Sequence, residues 1–225
     1  MAQAASRTDT STRTVERALA LLGVVCDGGA VSLTDASREA GLSTSTALRL
    51  LRTMEASGFV RKDDDGYRPG MRIVQLGALA LSNESLVPLA AESMKRLVAQ
   101  TGESAYLNVP ASGGPDSGHG IYIAVQEGTH SVRHTSWVGR SIELRGTAAG
   151  QVLHGQTPSA GYVVVSNGVE PDVTAVAAPV LVGGQVVAAL SVVAPSYRIS
   201  DDEAHRIGAL VAAEAETILS TRPAA

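Results

Sequence analysis

The sequence predicts an α+β chain in two parts: a small helical head ending in a β-hairpin, and a larger distal half with a largely antiparallel sheet and a closing helix. Three observations carry this. Apolar residues recur at helical spacing between residues 14 and 57, interrupted by glycines and short polar residues of the kind that cap helices. A strand–turn–strand pattern follows, with Asp63-Asp64-Asp65-Gly66 at its turn. Beyond residue 101 the apolar period shortens to that of strands, until a last helical pattern at 201–219.

The first helix is expected over 14–25, where Val15, Ala18, Leu19, Leu22 and Val25 share a face; Asp27-Gly28-Gly29 stops it. Ser32 stands three residues before Asp35, a capping-box spacing that supplies acceptors to the orphan amides of a helix start. The second helix, 33–40, turns Leu33, Ala36 and Ala40 inward and ends at Gly41, with Leu42 packing back. Ser43 caps a third helix that runs to about residue 57, where Gly58 closes it.

That third helix holds the chemistry. Ala47, Leu50, Leu51 and Met54 form one stripe that must face a core. Opposite lie Ser45, Arg49 and Arg52, with Ser43, Thr44 and Thr46 at the N-terminal end. Short hydroxyls and long guanidiniums are the groups that reach phosphates and base edges in a major groove. Phe59-Val60-Arg61-Lys62 then reads as a strand, Gly66 supplies the positive φ of its turn, and Tyr67-Arg68 begins the return. Helix, glycine turn, helix and basic hairpin is the order of a winged helix-turn-helix. Arg61, Lys62 and Arg68 would lie on the wing beside the DNA backbone, while three aspartates at its tip would keep that tip away from phosphates.

A helical bridge is expected over 71–101, its first part unusually apolar for a connector, with Ile73, Leu76 and Ala80 among its residues. Residues 103–109, 120–126 and 131–136 read as strands, the first two joined by a Gly-rich loop at 112–119. Residues 176–182 and 185–194 form a hairpin through Gly183-Gly184. Ser200 and Glu203 cap the final helix, which turns Ile207, Leu210, Val211 and Ile218 inward.

Bulk properties set bounds. A single cysteine, Cys26, precludes an internal disulfide framework, and the expected compartment is the reducing cytoplasm. The N-terminal residues 1–14 lack the apolar segment of a signal peptide, and no apolar run is long enough to span a bilayer, so no membrane association is expected. Net charge is −4, yet the head at 1–70 is balanced, with nine Lys/Arg and nine Asp/Glu; the excess acid lies beyond it. A local basic surface remains compatible with nucleic acid, with weak non-specific binding.

The run from Thr14 to Leu22, Ser32-Leu33-Thr34-Asp35, Gly41 to Leu51, Gly58-Phe59-Val60 and Tyr67 to Gly70 resembles the head of the IclR family of transcription regulators. In the distal half, Thr101 to Ala105, Val138-Gly139-Arg140, Gly161-Tyr162, Glu170-Pro171, Ala177 to Val180 and Val187 to Val192 match in the same order. The resemblance covers nearly the whole chain past Thr12. It implies a disordered tail at 1–12, a winged helix-turn-helix at 13–70, a linker helix at 71–86 and a GAF-like effector-binding and oligomerisation domain at 87–222. It also implies a homodimer or homotetramer on a pseudo-palindromic double-stranded operator, more often as a repressor, with a small-molecule effector controlling DNA affinity. No cofactor is expected.

Two departures bear on the effector. Only ten residues separate Gly146 to Gly150 from Gly161-Tyr162, where the family carries a longer helical stretch, so part of a pocket wall is expected to be missing. The positions where the family places an acidic residue, a cysteine and a second serine correspond to Val165, Ala175 and Val193, which have no side-chain hydrogen-bonding group. The effector contacts expected are Trp137, the backbone at Ala148 and Ala149, Ser166, Asn167 and Ser191, and an apolar or aromatic effector fits better than a small dicarboxylate.

Other chemistry finds little support. His119, His130, His134, His154 and His205 are scattered, and ligand counting points to no metal site. The loop at 113–120 lacks the Lys and following helix of a P-loop, and no nucleophile–base pair can be named. The chain is therefore not expected to be an enzyme. The alternative is a GAF-like sensing or enzymatic domain whose head serves protein interaction.

Overall fold

The computed structural model describes residues 10–83, 86–111, 114–136 and 138–220. The chain divides into two compact units, at residues 1–83 and 84–225.

The first unit runs α1 (Thr10–Gly28), α2 (Leu33–Glu39), α3 (Thr44–Ala56), β1 (Val60–Asp63), β2 (Gly66–Pro69) and α4 (Met71–Asn83). The predicted caps form. The Asp35 amide donates to Ser32 Oγ at 3.1 Å, and the Thr46 amide donates to Ser43 Oγ at 3.3 Å. In the first of these the Ser32 hydroxyl in turn donates to the Asp35 carboxylate at 2.7 Å. Gly41 adopts φ 63°, and the Leu42 amide bonds the Ser37 carbonyl at 2.8 Å, the left-handed stop that folds α2 back toward α3. Leu21 and Val25 of α1, Ala36 of α2, Ala47, Leu50, Leu51 and Met54 of α3, and Val60 and Tyr67 of the hairpin form one core. A fully buried leucine such as Leu21 or Leu51 contributes about 1.5–3 kcal/mol by leaving water.

Two features differ from expectation. α1 starts at Thr10 and runs to Gly28, longer at both ends than the span read from periodicity. Val31 exchanges backbone hydrogen bonds with Tyr67, adding a third rung beside the hairpin. Gly66 is required at that rung, because a Cβ there would meet the Val31 carbonyl oxygen at 2.6 Å.

The second unit holds α5 (Leu86–Thr101), β3 (Ser104–Pro110), β4 (His119–Gln126), β5 (Ser141–Glu143), α6 (Ala148–Leu153), β6 (Val163–Ser166), β7 (Val173–Val182), β8 (Gln185–Pro195) and α7 (Asp201–Ser220). Its six strands form one antiparallel sheet in the order β5-β4-β3-β8-β7-β6. Both faces are covered, which is why β7 and β8 are apolar almost throughout. On one face α5 and α7 pack Met94, Leu97, Ile207, Val211 and Ile218 against Leu107, Val176 and Leu190. On the other, α6 packs Ala148, Val152 and Leu153 against Tyr106, Tyr122, Ala177, Ala189 and Val193.

The strand expected at 131–136 does not form; those residues run as bends and irregular backbone. Side chains take the acceptors that a ladder would use. Ser104 Oγ donates to the His134 carbonyl at 2.7 Å, and an Arg198 Nη2–H donates to the Val132 carbonyl at 2.7 Å. Strand β6, unforeseen in the sequence, pairs with β7, and residues 154–162 between α6 and β6 hold neither helix nor strand.

Candidate nucleic-acid interface and ligand site

On α3 the buried stripe and the exposed stripe separate as 3.6-residue periodicity requires. Thr44, Ser45, Arg49 and Arg52 are exposed. Ser43 Oγ lies 3.2 Å from Ser45 Oγ and 2.9 Å from Thr46 Oγ1, so the N-terminus of α3 presents a cluster of hydroxyls around its capping oxygen. Among the described residues the ion pairs of the head involve Arg38, Arg61 and Arg68, and neither Arg49 nor Arg52. Arg52 and Lys62 line one groove between α3 and the hairpin, with Leu48, Tyr67 and Asp63 to Asp65 as further walls.

The three cations of the hairpin are not equivalent. Arg68 is held by Asp63 at 2.8 Å and by Asp65 at 3.2 Å, Arg61 sits 4.0 Å from Asp63, and Lys62 lies 5.8 Å above the ring of Tyr67. Arg61 and Lys62 are exposed; Arg68 is half-buried. The aspartates that would repel phosphate are thereby balanced in large part within the hairpin.

In the second unit the sheet register aligns residues into rows on the α6 face. One row is Ser104, Val193, Ala175 and Val165; the next is Tyr106, Ser191, Ala177 and Val163; Asn108 and Ala189 begin a third. Ala148 and Ala149 open α6 over this face, and Thr147 caps them by accepting from the Gly150 amide at 3.0 Å. Ser191, Ala148 and Ala149 are thus brought to one face.

Ser166 and Asn167 are not. Alternation along β6 puts Val163 and Val165 toward α6 and Ser166 on the opposite side, where its hydroxyl lies 2.9 Å from Thr174 Oγ1. Asn167 occupies the β6–β7 turn at φ 61° and accepts from the Asp172 amide at 2.8 Å. Trp137 lies outside the described residues.

Sequence reasoning missed the polar residues of this face. The hydroxyl of Tyr106 lies 2.7 Å from His134 Nδ1 and donates to the His134 carbonyl at 3.0 Å. Its ring is 4.8 Å from that of Tyr122 and 5.3 Å from that of His134. Burial pushes the Tyr106 phenol up to about 12 and raises Tyr122 also, while burial lowers His134, so the cluster is neutral near pH 7. The alternation of Tyr106 with Leu107 and Asn108 was the one available signal, a polar residue at a core-facing strand position.

The histidines serve separate local contacts. His205 Nδ1 lies 2.8 Å from Tyr162 Oη, His154 Nδ1 lies 2.7 Å from the Gly150 carbonyl, and His130 sits 3.6 Å from Glu103. Among the described residues no three His, Cys, Asp or Glu side chains gather to hold a metal ion. None of the described helices is long and apolar enough to cross a membrane.

The model of the IclR helix-turn-helix domain matches residues 14–64, and that of the bacterial transcriptional regulator IclR C-terminal domain matches 78–160 and 155–220. The chain belongs to the IclR family. The distal match is in two parts that meet at residues 155–160, just after α6. Among IclR-family relatives, the chain is 30% identical over 144 residues to the HTH-type transcriptional regulator XynR of Escherichia coli (strain K12), covering 63% of this chain and 55% of that protein. It is 29% identical over 142 residues to the HTH-type transcriptional repressor AllR of the same strain, covering 62% and 51%. The chain thus spans about half the length of the curated relatives it matches. In fold it is similar to an IclR homologue of Microbacterium hydrocarbonoxydans solved in complex with 4-hydroxybenzoate, with TM-score 0.74, 23% identity and coverage of 93% of this chain and 100% of that one.

Proposed function

We propose that this chain is a sequence-specific DNA-binding transcription regulator, acting as a repressor, whose affinity for its operator falls when a small molecule binds the distal unit. The observation that carries the reading is the exposed Ser45–Arg49–Arg52 stripe on a helix whose N-terminus is ringed by the hydroxyls of Ser43, Ser45 and Thr46. A major groove admits such a helix, Arg49 and Arg52 reach base edges, and Ser43, Thr44, Ser45 and Thr46 reach phosphates. Arg61 and Lys62 contact the backbone from the wing, with Arg68 supporting them.

One head contacts too few bases for strong specificity, so a dimer on a pseudo-palindromic site is part of the reading. Val15 and Leu19 of α1 and Met71, Val74 and Leu79 of α4 are large apolar side chains left exposed, positions suited to cover by a second copy in a dimer or tetramer. The repressor assignment follows AllR, and control by a small molecule, aromatic in character, follows the homologue that holds 4-hydroxybenzoate. The protein works in the cytoplasm, where DNA is found and where an exposed thiol such as Cys26 stays reduced.

A gel-shift titration on the region upstream of the chain's own gene, at stated salt, tests this. Specific retardation that is lost in Arg49→Ala and Arg52→Ala is expected; unchanged affinity in both variants would remove α3 from the interface.

A further inference from the structure

Buried polar atoms in folded proteins are nearly always paired, so a local group of exceptions calls for an explanation. On the α6 face of the distal sheet three side chains are such exceptions. Both amide atoms of Asn108, Nε2 of His134 and Oγ of Ser136 are buried without a hydrogen-bond partner in the protein. Their residues are 0%, 7% and 6% exposed. They belong together: Asn108 follows Tyr106 by two positions on β3 and is the register partner of Tyr122, and His134 is bonded to the Tyr106 hydroxyl. The backbone at Ser136 lies against that same phenol. Two tyrosine rings tilted against each other are thus flanked by unsatisfied donors and acceptors.

Of the positions where the family resemblance places polar ligand contacts, Ser191 lies beside Tyr106 and the others share the neighbouring row. That row reads Val165, Ala175, Val193 and Ser104 here, and the Ser104 hydroxyl is engaged by the His134 carbonyl. Polar capacity has moved toward the β3–β4 side of the sheet.

Donor counting sets the chemistry. A carbonyl oxygen only accepts, so the arrangement that satisfies both contacts sends the single phenol proton of Tyr106 to the His134 carbonyl and has His134 Nδ1–H donate to the phenol oxygen. That tautomer leaves Nε2 as an acceptor. Asn108 offers both a donor and an acceptor, and Ser136 a hydroxyl that does either. A ligand that satisfies these groups must therefore bring at least one donor, and would sit beside the aromatic side chains of Tyr106 and Tyr122. A buried carboxylate would need a cation. Arg140, whose carbonyl accepts from the Tyr122 amide, already has Glu170 3.5 Å from its guanidinium.

We propose that Asn108, His134 and Ser136, around the Tyr106–Tyr122 pair, form the effector site of this chain, and that the site takes a neutral planar ring bearing a hydroxyl or carboxamide in preference to the corresponding carboxylate. This rests on the reading that the distal unit binds an effector. It moves the polar contacts from the row of Val165, Ala175 and Val193 toward β3 and β4, on the side where Ser191 lies.

The test uses the full chain and two probes of equal size, 4-hydroxybenzamide and 4-hydroxybenzoate, in calorimetric titrations near neutral pH. The amide is expected to bind at least about tenfold tighter than the carboxylate, a difference of about 1.4 kcal/mol. Asn108→Leu is expected to weaken amide binding by about tenfold or more while leaving the melting temperature of the unliganded chain unchanged or raised, because it removes an unsatisfied buried amide. A residue with only a structural role would lower that temperature and leave the affinity alone. Ser136→Ala, a smaller change, is expected to weaken the amide by several-fold and keeps the test open if Asn108→Leu does not fold. Tighter binding of the carboxylate, no binding of either probe at millimolar concentration, or unaltered amide affinity in the variants would overturn the proposal. Gel shifts on the upstream DNA without probe, run in parallel, read the regulator function independently: DNA binding without probe binding sinks only the site, and the reverse sinks only the DNA reading.

Discussion

Arg68 donates from Nε to Asp63 Oδ2 at 2.8 Å across the hairpin of the head, and a terminal guanidinium nitrogen reaches Asp65 at 3.2 Å. One cation thus pins the strand end and the turn of the hairpin while cancelling charge that would otherwise face phosphate.

The wing cations should accordingly separate in their effect on DNA. Arg61→Ala and Lys62→Ala are each expected to weaken binding evenly across sequences and to flatten the slope of log affinity against log salt by about 0.9 per lost phosphate contact. Arg68→Ala should act instead by freeing Asp63 and Asp65, lowering affinity without a matching loss of slope. Salt-dependent anisotropy titrations separate the two, and a full unit of slope lost with Arg68 would place it on the phosphate backbone.

Ser43 has two roles that one pair of substitutions can divide. Its Oγ accepts the Thr46 amide and so caps α3, and removing an N-cap hydroxyl costs about 0.5–2 kcal/mol. Ser43→Ala is expected to lower the melting temperature and the DNA affinity together. Ser43→Asp keeps a capping oxygen and suits the helix dipole, so stability should hold while a carboxylate beside phosphate lowers the affinity. Equal DNA binding by parent and Ser43→Asp would argue against α3 entering the groove by its N-terminus.

His134 supplies a pH dependence whose sign can be worked out. Burial lowers its pKa, with Glu170 raising it and Arg140 lowering it to smaller extents. The unfolded chain therefore binds this proton at a higher pH than the folded one, and stability falls as pH drops below about 6.5 toward the folded value. The contribution is fully present above that range. Urea unfolding at about pH 7.5 and about pH 5.5 should show a loss in the parent that shrinks in His134→Gln. An identical loss in both would assign the dependence to other groups.

The head was legible in the sequence because its information is local. Ser32, Ser43, Gly41, Gly58 and Gly66 mark helix ends and a turn within a few residues of where they act, and the stripe Ala47, Leu50, Leu51, Met54 states which side of α3 faces out. Long-range pairing was not legible, so the Val31 rung beside Tyr67 went unread. In the distal unit the two-sided burial of β7 and β8 made the hairpin plain, but β6 was missed, and its alternation is what turns Ser166 away from α6. The segment 131–136 alternates like a strand, yet its carbonyls are taken by Ser104 and Arg198 from distant parts of the chain. The candidate ligand site follows the same logic: Tyr106, Asn108, Tyr122 and His134 are ordinary residues along the chain, and only the register of β3 with β4 and the path of that irregular segment bring them together.

That path depends on one buried ion pair. Arg198 grips Glu103 in two bonds, Nε to Oε1 at 2.6 Å and Nη2 to Oε2 at 2.9 Å, and Nη2 also donates to the Val132 carbonyl two residues before His134. Glu103 is 3% exposed, so removing Arg198 leaves a buried carboxylate with only the His130 ring, 3.6 Å away, beside it among the described ion pairs. Arg198→Ala is expected to cost about 3–5 kcal/mol, and the double change Glu103→Leu with Arg198→Leu to recover much of that, since apolar replacement of a buried pair is often near neutral. The double variant still lacks the donor to Val132. Its segment at 130–136 should therefore exchange amide hydrogens faster than in the parent even where global stability is restored, and it should bind 4-hydroxybenzamide more weakly. Hydrogen exchange followed by mass spectrometry reads the first effect and calorimetry the second. Parent-like exchange at 130–136 in the double variant would mean that the Ser104 and Tyr106 bonds to His134 hold the segment unaided.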